Sequence, residues 1–252
     1  MLSDDFSLNN FITDNECSKG FDFSKDLLRH VEPVVGYRRA RYGNNLWLVY
    51  SPKIDRKVKL YSNLEYFNWI MVEATPEIVA FCEQPVKIVC YIDGRNVVSI
   101  IDMWVKYYTG IEEYREIKYV KELKKTNKKP MLHRKMEAQK NWCSRQNVDY
   151  RIITDIDILA NELLIRNWRV ILTHISNNTK NASILNTQKQ IINIVNNEKK
   201  ISLSMLVNRF SDISVSDVHT AVFWLLHSGR LIAPLHETEL SNNIILKLRN
   251  NL

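Results

Sequence analysis

The stretch from Val97 to Val120 constrains the fold more than any other part of this sequence. Its first half is β-branched and aromatic apart from one acid, Asp102, and this composition predicts a strand. Beyond Thr109-Gly110 the residues alternate again, which predicts a second strand and a hairpin. A turn centred there places Asp102 nearly opposite Glu116, and the period of two puts Lys118 on the same face as Glu116.

Two carboxylates that face each other repel unless a cation lies between them. Magnesium is a hard divalent ion that takes oxygen ligands, so Asp102 and Glu116 predict a metal site. The neighbouring Lys118 could orient or deprotonate a water, or stabilise charge on a phosphate. The structural alternative is a contact between acid and lysine across two strands on a solvated face. The apolar neighbours of Asp102 favour the metal site.

Length and composition indicate a globular protein that is not exported. The chain has 252 residues, of which 45% are hydrophobic, so it can bury a core in one large or two small domains. No signal-peptide pattern occurs and no apolar run is long enough to span a bilayer, so we expect no membrane partner. The four cysteines lack the spacing of a zinc site or a disulfide framework. Walker, GxGxxG and Gly-x-Ser-x-Gly patterns are absent from the sequence, so neither ATP hydrolysis nor dinucleotide chemistry is supported.

Positive charge is concentrated in one segment. The formal net charge is +7, yet residues 118–145 alone hold ten bases against two acids, whereas residues 1–35 hold seven acids against three bases. A basic block beside a possible metal site indicates a polyanionic partner, most commonly nucleic acid. The alternative is a solvated loop and helix face. The residues predicted to bind DNA are Arg38, Arg39, Arg41, Lys121, Lys124, Lys125, Lys128, Lys129, Arg134 and Lys135.

The predicted elements follow the order helix, three strands, helix, strand. Ser62 with Glu65 three residues later has the form of a capping box, which opens a helix running to about Ala74. This capping role is a structural alternative for Glu65. The strands of the meander are residues 86–92, 97–105 and 114–120, a helix follows at 130–146, and a last strand follows at 150–154.

A change of composition at residues 176–181 predicts a polar linker to a C-terminal domain. The predicted helices of this domain are residues 187–196, 202–209 and 216–227, and the predicted strands are 230–233 and 243–248. This arrangement resembles a winged helix. The third helix carries no lysine or arginine, which favours docking to protein over reading of DNA bases.

The element order and the placement of the acids resemble the PD-(D/E)xK nuclease core, a restriction-endonuclease-like αβββαβ arrangement. The resemblance rests on Glu65 in the first helix, Asp102 in the second strand, and Glu116-Ile117-Lys118 in the third. Among such nucleases the chain is similar to the TnsA family, the endonuclease subunits of heteromeric transposases, over about residues 35–165 and into the tail. The supporting motifs are Gln84-Pro85 before the meander and Ile153-Thr154 after the second helix.

The resemblance implies a magnesium-dependent cut at the 5′ ends of a transposon in double-stranded DNA, while a TnsB-like transposase handles the 3′ ends. It places Glu65, Asp102 and Glu116 at metal-binding positions, with two ions expected and manganese as a substitute, and Lys118 as the catalytic lysine. Some members of that family carry glutamine at the position of Glu116. It further implies that the C-terminal domain contacts a TnsC-like ATPase regulator, and that the protein is bacterial and cytoplasmic.

The sequence therefore predicts an α/β protein with a mixed-sheet nuclease core and a winged-helix domain. The predicted boundaries are 1–34 for an N-terminal arm, 35–175 for the endonuclease domain and 182–252 for the winged helix. Two other functions stay open at this point. One is a free-standing restriction or defence nuclease with its own target recognition. The other is a non-catalytic DNA-binding assembly subunit, in which Glu65 only caps its helix and the other acids pair with lysines.

Overall fold

The computed structural model of the chain shows a mixed α/β protein and describes residues 11–13, 29–35, 45–124, 130–178 and 182–249. Its strands are β1 (Phe11–Thr13), β2 (Trp47–Ser51), β3 (Arg56–Leu60), β4 (Ile78–Glu83), β5 (Lys87–Ile92), β6 (Arg95–Ile100), β7 (Met103–Tyr107), β8 (Glu112–Lys118), β9 (Asp149–Thr154), β10 (Lys200–Ser202), β11 (Leu231–Ile232) and β12 (Ile245–Leu248). Its helices are α1 (Asn63–Glu73), α2 (Val120–Leu123), α3 (Pro130–Arg145), α4 (Asp155–Leu159), α5 (Glu162–Asn177), α6 (Ala182–Glu198), α7 (Leu203–Val207) and α8 (Val215–His227).

The sheet that carries the candidate site is four-stranded and mixed, in the order β4-β7-β8-β9. Strand β7 pairs antiparallel with β4 and β8, whereas β8 pairs parallel with β9, because a crossover containing α3 separates them in the chain. Gly110 has a φ of 85°, which suits the turn between β7 and β8. Met103 pairs with Arg115, so the same register extended by one residue sets Asp102 opposite Glu116 and confirms that prediction.

The single strand predicted over residues 97–105 is wrong, because this stretch forms parts of two strands in different sheets. Strand β6 pairs with β5 in a three-stranded sheet that also contains β1, while β7 belongs to the four-stranded sheet. Asp102 lies in the short connection between them, where its carbonyl accepts a hydrogen bond from the Gln84 N–H at 2.9 Å. The apolar pattern continues through this connection because Ile101 and Met103, on either side of Asp102, are both buried. Periodicity alone cannot show such a change of sheet.

Strand β4 is also absent from the sequence prediction. It is a short, largely buried apolar run, and such a run cannot be assigned to strand or helix by its periodicity. The predicted helices at α1 and α3 and the predicted strands at β5, β8 and β9 are confirmed.

The core beneath the four-stranded sheet is built on large aromatic side chains. Trp104 of β7 and Tyr114 of β8 are both fully buried. Tyr114 meets Trp142 of α3 edge to face, with ring centroids 5.2 Å apart. The Trp104 indole N–H is satisfied by the Glu112 carboxylate at 3.0 Å. The Tyr114–Trp142 contact thus packs β8 against α3, and the hydrogen bond from Trp104 to Glu112 joins β7 to β8.

The chain divides into two units that interleave along the sequence. Of the described residues, the first unit contains those as far as Val49, then Val58–Asn68 and those from Glu77 to Ile158, and the second contains Tyr50–Lys57, Trp69–Pro76 and those from Leu159 onward. Within the second unit, His227 Nε2 lies 2.7 Å from Glu73 Oε2, and the Ser51 hydroxyl donates to the other Glu73 oxygen. This buried cluster ties short early segments to the C-terminal part. The domain boundaries at 34, 175 and 182 remain predictions.

The C-terminal part of the second unit contains helices α6, α7 and α8 and a three-stranded antiparallel sheet in the order β10-β12-β11. The three predicted helices and both predicted strands of this region are confirmed as elements, and β10 is an addition. Across the described ranges, no helix combines the length and the apolar character needed to cross a membrane.

Because of His30, we expect the stability of the fold to decrease as the pH becomes acidic. Its Nε2 lies 2.6 Å from the Tyr114 hydroxyl, and its ring packs edge-on against Trp104. Burial, with a smaller contribution from Arg29, lowers the pKa of His30 from 6.5 to about 4. Its contribution to stability is therefore fully present above pH 6.5 and is lost as pH falls through 4, because the folded state binds the proton less well than the unfolded state.

We expect the melting temperature of the His30→Gln variant to fall less steeply than that of the parent between pH 6.5 and 4. Thermal unfolding across this range measures both slopes. His133→Gln is the control, since the His133 side chain is 66% exposed. Equal slopes for parent and His30→Gln would contradict the prediction.

Candidate active site

Asp102 and Glu116 converge on the ammonium of Lys118, as the hairpin register predicts. Lys118 Nζ lies 2.6 Å from Glu116 Oε1 and 3.1 Å from Asp102 Oδ2. Asp102 Oδ2 also accepts the Ile117 N–H at 2.8 Å, so the carboxylate is held against the backbone of β8. Lys118 Nζ donates in addition to the Ile117 carbonyl at 3.0 Å. The ammonium thus bridges one carboxylate from the connection between β6 and β7 and one from strand β8.

Glu65 lies at the start of α1, where both of its carboxylate oxygens are engaged. One oxygen accepts the Tyr61 N–H at 3.0 Å, the other accepts the Ser62 hydroxyl at 3.1 Å, and Ser62 Oγ accepts the Glu65 N–H at 3.1 Å. The capping interpretation is therefore confirmed. Burial and then the charge of Asp102 nevertheless raise the pKa of Glu65 to about 7. Glu65 thus has a structural role and also lies in the electrostatic field of the site.

Burial and mutual repulsion perturb the ionisation of the site. Burial, followed by the charge of Asp102, raises the pKa of Glu116 to about 8. Burial on its own would lower the pKa of Lys118, but the carboxylates of Asp102 and Glu116 outweigh it and raise that pKa above its ordinary value. Lys118 consequently stays an ammonium at neutral pH. It is suited to donate hydrogen bonds and stabilise negative charge, and it is unsuited to deprotonate a water.

The donor chemistry of the site fits a hard divalent cation. Asp102 and Glu116 pair with one ammonium, Glu65 lies within the electrostatic influence of Asp102 and Lys118, and burial penalises negative charge that is not compensated. Magnesium is commonly held by one or two carboxylates together with water and substrate phosphate, and Asp102 and Glu116 supply such a pair. Within the described ranges no group of three or more Asp, Glu, His or Cys side chains is arranged to hold a metal ion. The three-ligand set that adds Glu65 therefore stays a prediction.

Comparison with known protein families agrees with this geometry. Residues 75–155 match the family model described as TnsA-like endonuclease N terminal. The chain carries a TnsA-like endonuclease segment. The matched residues, about a third of the chain, include Asp102, Glu116 and Lys118, whereas Glu65 precedes them. A search of curated proteins finds no significant match. The TnsA-like match supports a nuclease of Tn7-type transposition.

Two residues of the TnsA-like segment belong to the site but were not predicted from the sequence. The Gln139 side-chain amide donates to Glu116 Oε2 at 2.8 Å, and the Tyr150 hydroxyl donates to Gln139 Oε1 at 2.7 Å. Gln139 is fully buried on α3. A sequence pattern could have identified Gln139 as a candidate. It lies three residues before Trp142, so it is a polar residue on the otherwise apolar, buried face of the helix.

The residues predicted to bind DNA are only partly described. Lys121 and Lys124 are exposed at α2, directly after the site strand β8, and Lys121 Nζ lies 4.8 Å from the centre of the Tyr119 ring. Arg134 of α3 pairs with Asp93 at 3.1 Å, and Lys135 is half-buried. Their role in DNA binding stays a prediction. Those that lie outside the described residues are Arg38, Arg39, Arg41, Lys125, Lys128 and Lys129.

Binding of a divalent cation at this site is expected to release protons. The pKa values of Glu65 and Glu116 are raised to about 7 and about 8, so both carboxyls are partly protonated at neutral pH, whereas a cation binds the ionised form. Affinity for magnesium should therefore rise between pH 6 and pH 8.

Calorimetric titration of magnesium at pH 7, in two buffers of different ionisation enthalpy, measures the number of protons released. Glu116→Gln is the matched control, because its amide cannot release a proton and should lower that number. Identical binding heats in the two buffers for the parent would show that the prediction is wrong.

Proposed function

We propose that the chain is a magnesium-dependent DNA endonuclease subunit of a transposase, which hydrolyses phosphodiester bonds at the 5′ ends of the transposon. The observation that carries this proposal is the convergence of Asp102, Glu116 and Lys118 within the segment that matches TnsA-like endonucleases. Raised carboxyl pKa values at buried positions are typical of functional sites and support the same conclusion.

In this proposal Asp102 and Glu116 hold the metal. Magnesium bound there, or manganese in its place, would ready a water for attack and neutralise charge on the phosphate, and a second ion could stabilise the leaving oxygen. Lys118 remains protonated, and its positive charge beside Asp102 and Glu116 stabilises the negative charge that develops on the attacked phosphate. Glu65 completes the acidic surroundings from the start of α1.

The proposed partners are double-stranded DNA at the transposon ends, a TnsB-like transposase that handles the 3′ ends, and a TnsC-like ATPase regulator. Lys121 and Lys124 offer exposed positive charge beside the site for the phosphate backbone. Helices α6 to α8 with the antiparallel sheet follow the order of a winged helix. Because α8 carries no lysine or arginine, we assign it to docking on the ATPase partner. The reaction takes place in the bacterial cytoplasm.

A second function, that of a non-catalytic assembly subunit, is favoured by two observations. Both oxygens of Glu65 engage the helix cap, and Lys118 already pairs with both remaining acids. A site with these contacts can be purely structural. Cleavage by variants of Asp102 and Lys118 distinguishes the two functions.

Asp102→Ala is expected to abolish metal-dependent cleavage at the 5′ ends while the fold persists, since it removes a metal ligand without opening a large cavity. Nicking of DNA with transposon ends is measured in magnesium or manganese, with TnsB-like and TnsC-like partners present. Asp93→Ala is the matched control, because Asp93 is an exposed acid whose carboxylate pairs with Arg134. Cleavage by Asp102→Ala at the parental rate would remove Asp102 from the proposed site. If parent and Asp102→Ala both leave the ends intact while the complex assembles on them, the chain is an assembly subunit.

Lys118→Ala is expected to slow cleavage by about 10²–10³-fold, the usual loss when one donor to a developing negative charge is removed. Metal binding should persist in this variant, because both carboxylates remain. The cleavage rate at saturating metal and a direct metal titration measure the two effects separately. A variant that cuts like the parent, or that binds no metal, would contradict the role assigned to Lys118.

A further inference from the structure

We propose that Gln139 and Tyr150 are positioning residues that fix the Glu116 carboxylate and, through the Ile100 carbonyl, the backbone leading to Asp102. This inference rests on the proposed function, since it concerns how the same site holds its metal ligands. Neither residue carries a charge at neutral pH, and neither touches the reacting phosphate in this proposal. Their effect is exerted through Glu116 and Asp102.

The orientation of the Gln139 amide is determined by its surroundings. Its nitrogen lies 2.8 Å from Glu116 Oε2, 3.0 Å from Ser99 Oγ and 3.3 Å from the Ile100 carbonyl oxygen. Three acceptors around two N–H groups saturate the nitrogen, while the amide oxygen accepts the Tyr150 hydroxyl at 2.7 Å. Exchanging the oxygen and nitrogen would set an acceptor against the Glu116 carboxylate. This arrangement of the fully buried amide therefore turns its donors toward acceptors and its acceptor toward the Tyr150 hydroxyl, which the exchanged arrangement does not.

The hydrogen bond from Gln139 gives the two carboxylate oxygens of Glu116 different partners. The terminal torsion of a glutamate side chain is soft, so an unrestrained carboxylate can rotate between its two oxygens. Gln139 holds Oε2, which leaves Oε1 facing Lys118 at 2.6 Å. A neutral donor is suited to this position, because a carboxylate would repel Glu116 and an ammonium would compete with Lys118.

Gln139 also contacts the strand end that leads to the other ligand. Ile100 is the last residue of β6, and Asp102 follows it in the connection to β7. The amide thus binds the end of β6 and the side chain of Glu116 on β8 at the same time. Two factors therefore set the distance between Asp102 and Glu116. One is the backbone register of β7 and β8, and the other is the Gln139 amide.

Tyr150 restrains Gln139 from the neighbouring strand. Strand β9 lies parallel to β8, and in their register Tyr150 pairs with Tyr114 while Ile152 pairs with Glu116. Burial and the nearby charges of Glu116 and Asp102 raise the pKa of Tyr150, so its hydroxyl keeps its proton and remains a donor. Partners that orient metal ligands typically affect metal affinity or activity by about 10–100-fold.

The test measures Mn²⁺ binding to the full-length protein directly, together with the Mn²⁺ dependence of DNA cleavage in the complex with its partners. For Gln139→Leu we expect metal affinity to fall by about 10–100-fold, with most of the cleavage rate recovered at saturating Mn²⁺. For Tyr150→Phe we expect a smaller loss of the same kind. The double variant should bind no more weakly than Gln139→Leu, because Tyr150 acts through Gln139.

Gln188→Leu is the matched control for loss of a buried amide, since Gln188 is 7% exposed and lies on α6 in the other unit. If thermal unfolding shows that Gln139→Leu is not folded, Tyr150→Phe is used as the test variant instead, because it removes only one oxygen atom. If Gln139→Leu binds Mn²⁺ with the affinity of the parent, the inference is overturned and the proposed function is unaffected. The same holds for Tyr150→Phe when it is the only folded variant. A double variant much weaker than Gln139→Leu overturns the assignment of Tyr150. A parent that binds no Mn²⁺ overturns the proposed function and this inference together.

Discussion

The candidate site depends on one interaction, the bridge that the Lys118 ammonium makes between the carboxylates of Asp102 and Glu116. Strand β8 supplies Glu116 and Lys118 two residues apart on one face, and it lies between β7 and β9 in the sheet. Glu116 is therefore only 5% exposed. A buried carboxylate next to a second carboxylate is unfavourable without a cation, and the ammonium of Lys118 offsets part of that cost.

The break between β6 and β7 explains how an acid is accommodated in an apolar stretch. In a continuous strand, Asp102 would take part in the ladder with its backbone alone. Here its carboxylate accepts the Ile117 N–H of β8, while its carbonyl accepts the Gln84 N–H on the opposite side. The side chain thus replaces a ladder hydrogen bond at the point where pairing with β7 ends. The conformation of Asp102 that suits the packing of the sheet is therefore also the one that places its carboxylate at the candidate site.

The parts of the site that could be predicted from the sequence are those set by local rules. The turn at Gly110 fixes the hairpin register, and the register brings Asp102 to Glu116. Gln139 could not be predicted in the same way, because its partner Glu116 lies 23 residues earlier and no spacing rule joins a helix to a strand. The interleaving of the two units escaped prediction for the same reason, since His227 and Glu73 lie 154 residues apart. Only tertiary packing brings such pairs together.

The ionisation of the site bears on the choice between a catalytic and a structural function. Buried ion pairs contribute little to stability compared with apolar residues of similar volume, and an excess of acid over base is worse. Burial and the charge of Asp102 raise the pKa values of Glu65 and Glu116 to about 7 and about 8, because both effects disfavour the ionised carboxylate. A chain that needed only a folded scaffold would be more stable with apolar or amide side chains at these positions. Two acids paired with one lysine, and a third that their charges influence, are expected where a cation completes the charge balance, and this excess of acid favours the nuclease over the assembly subunit.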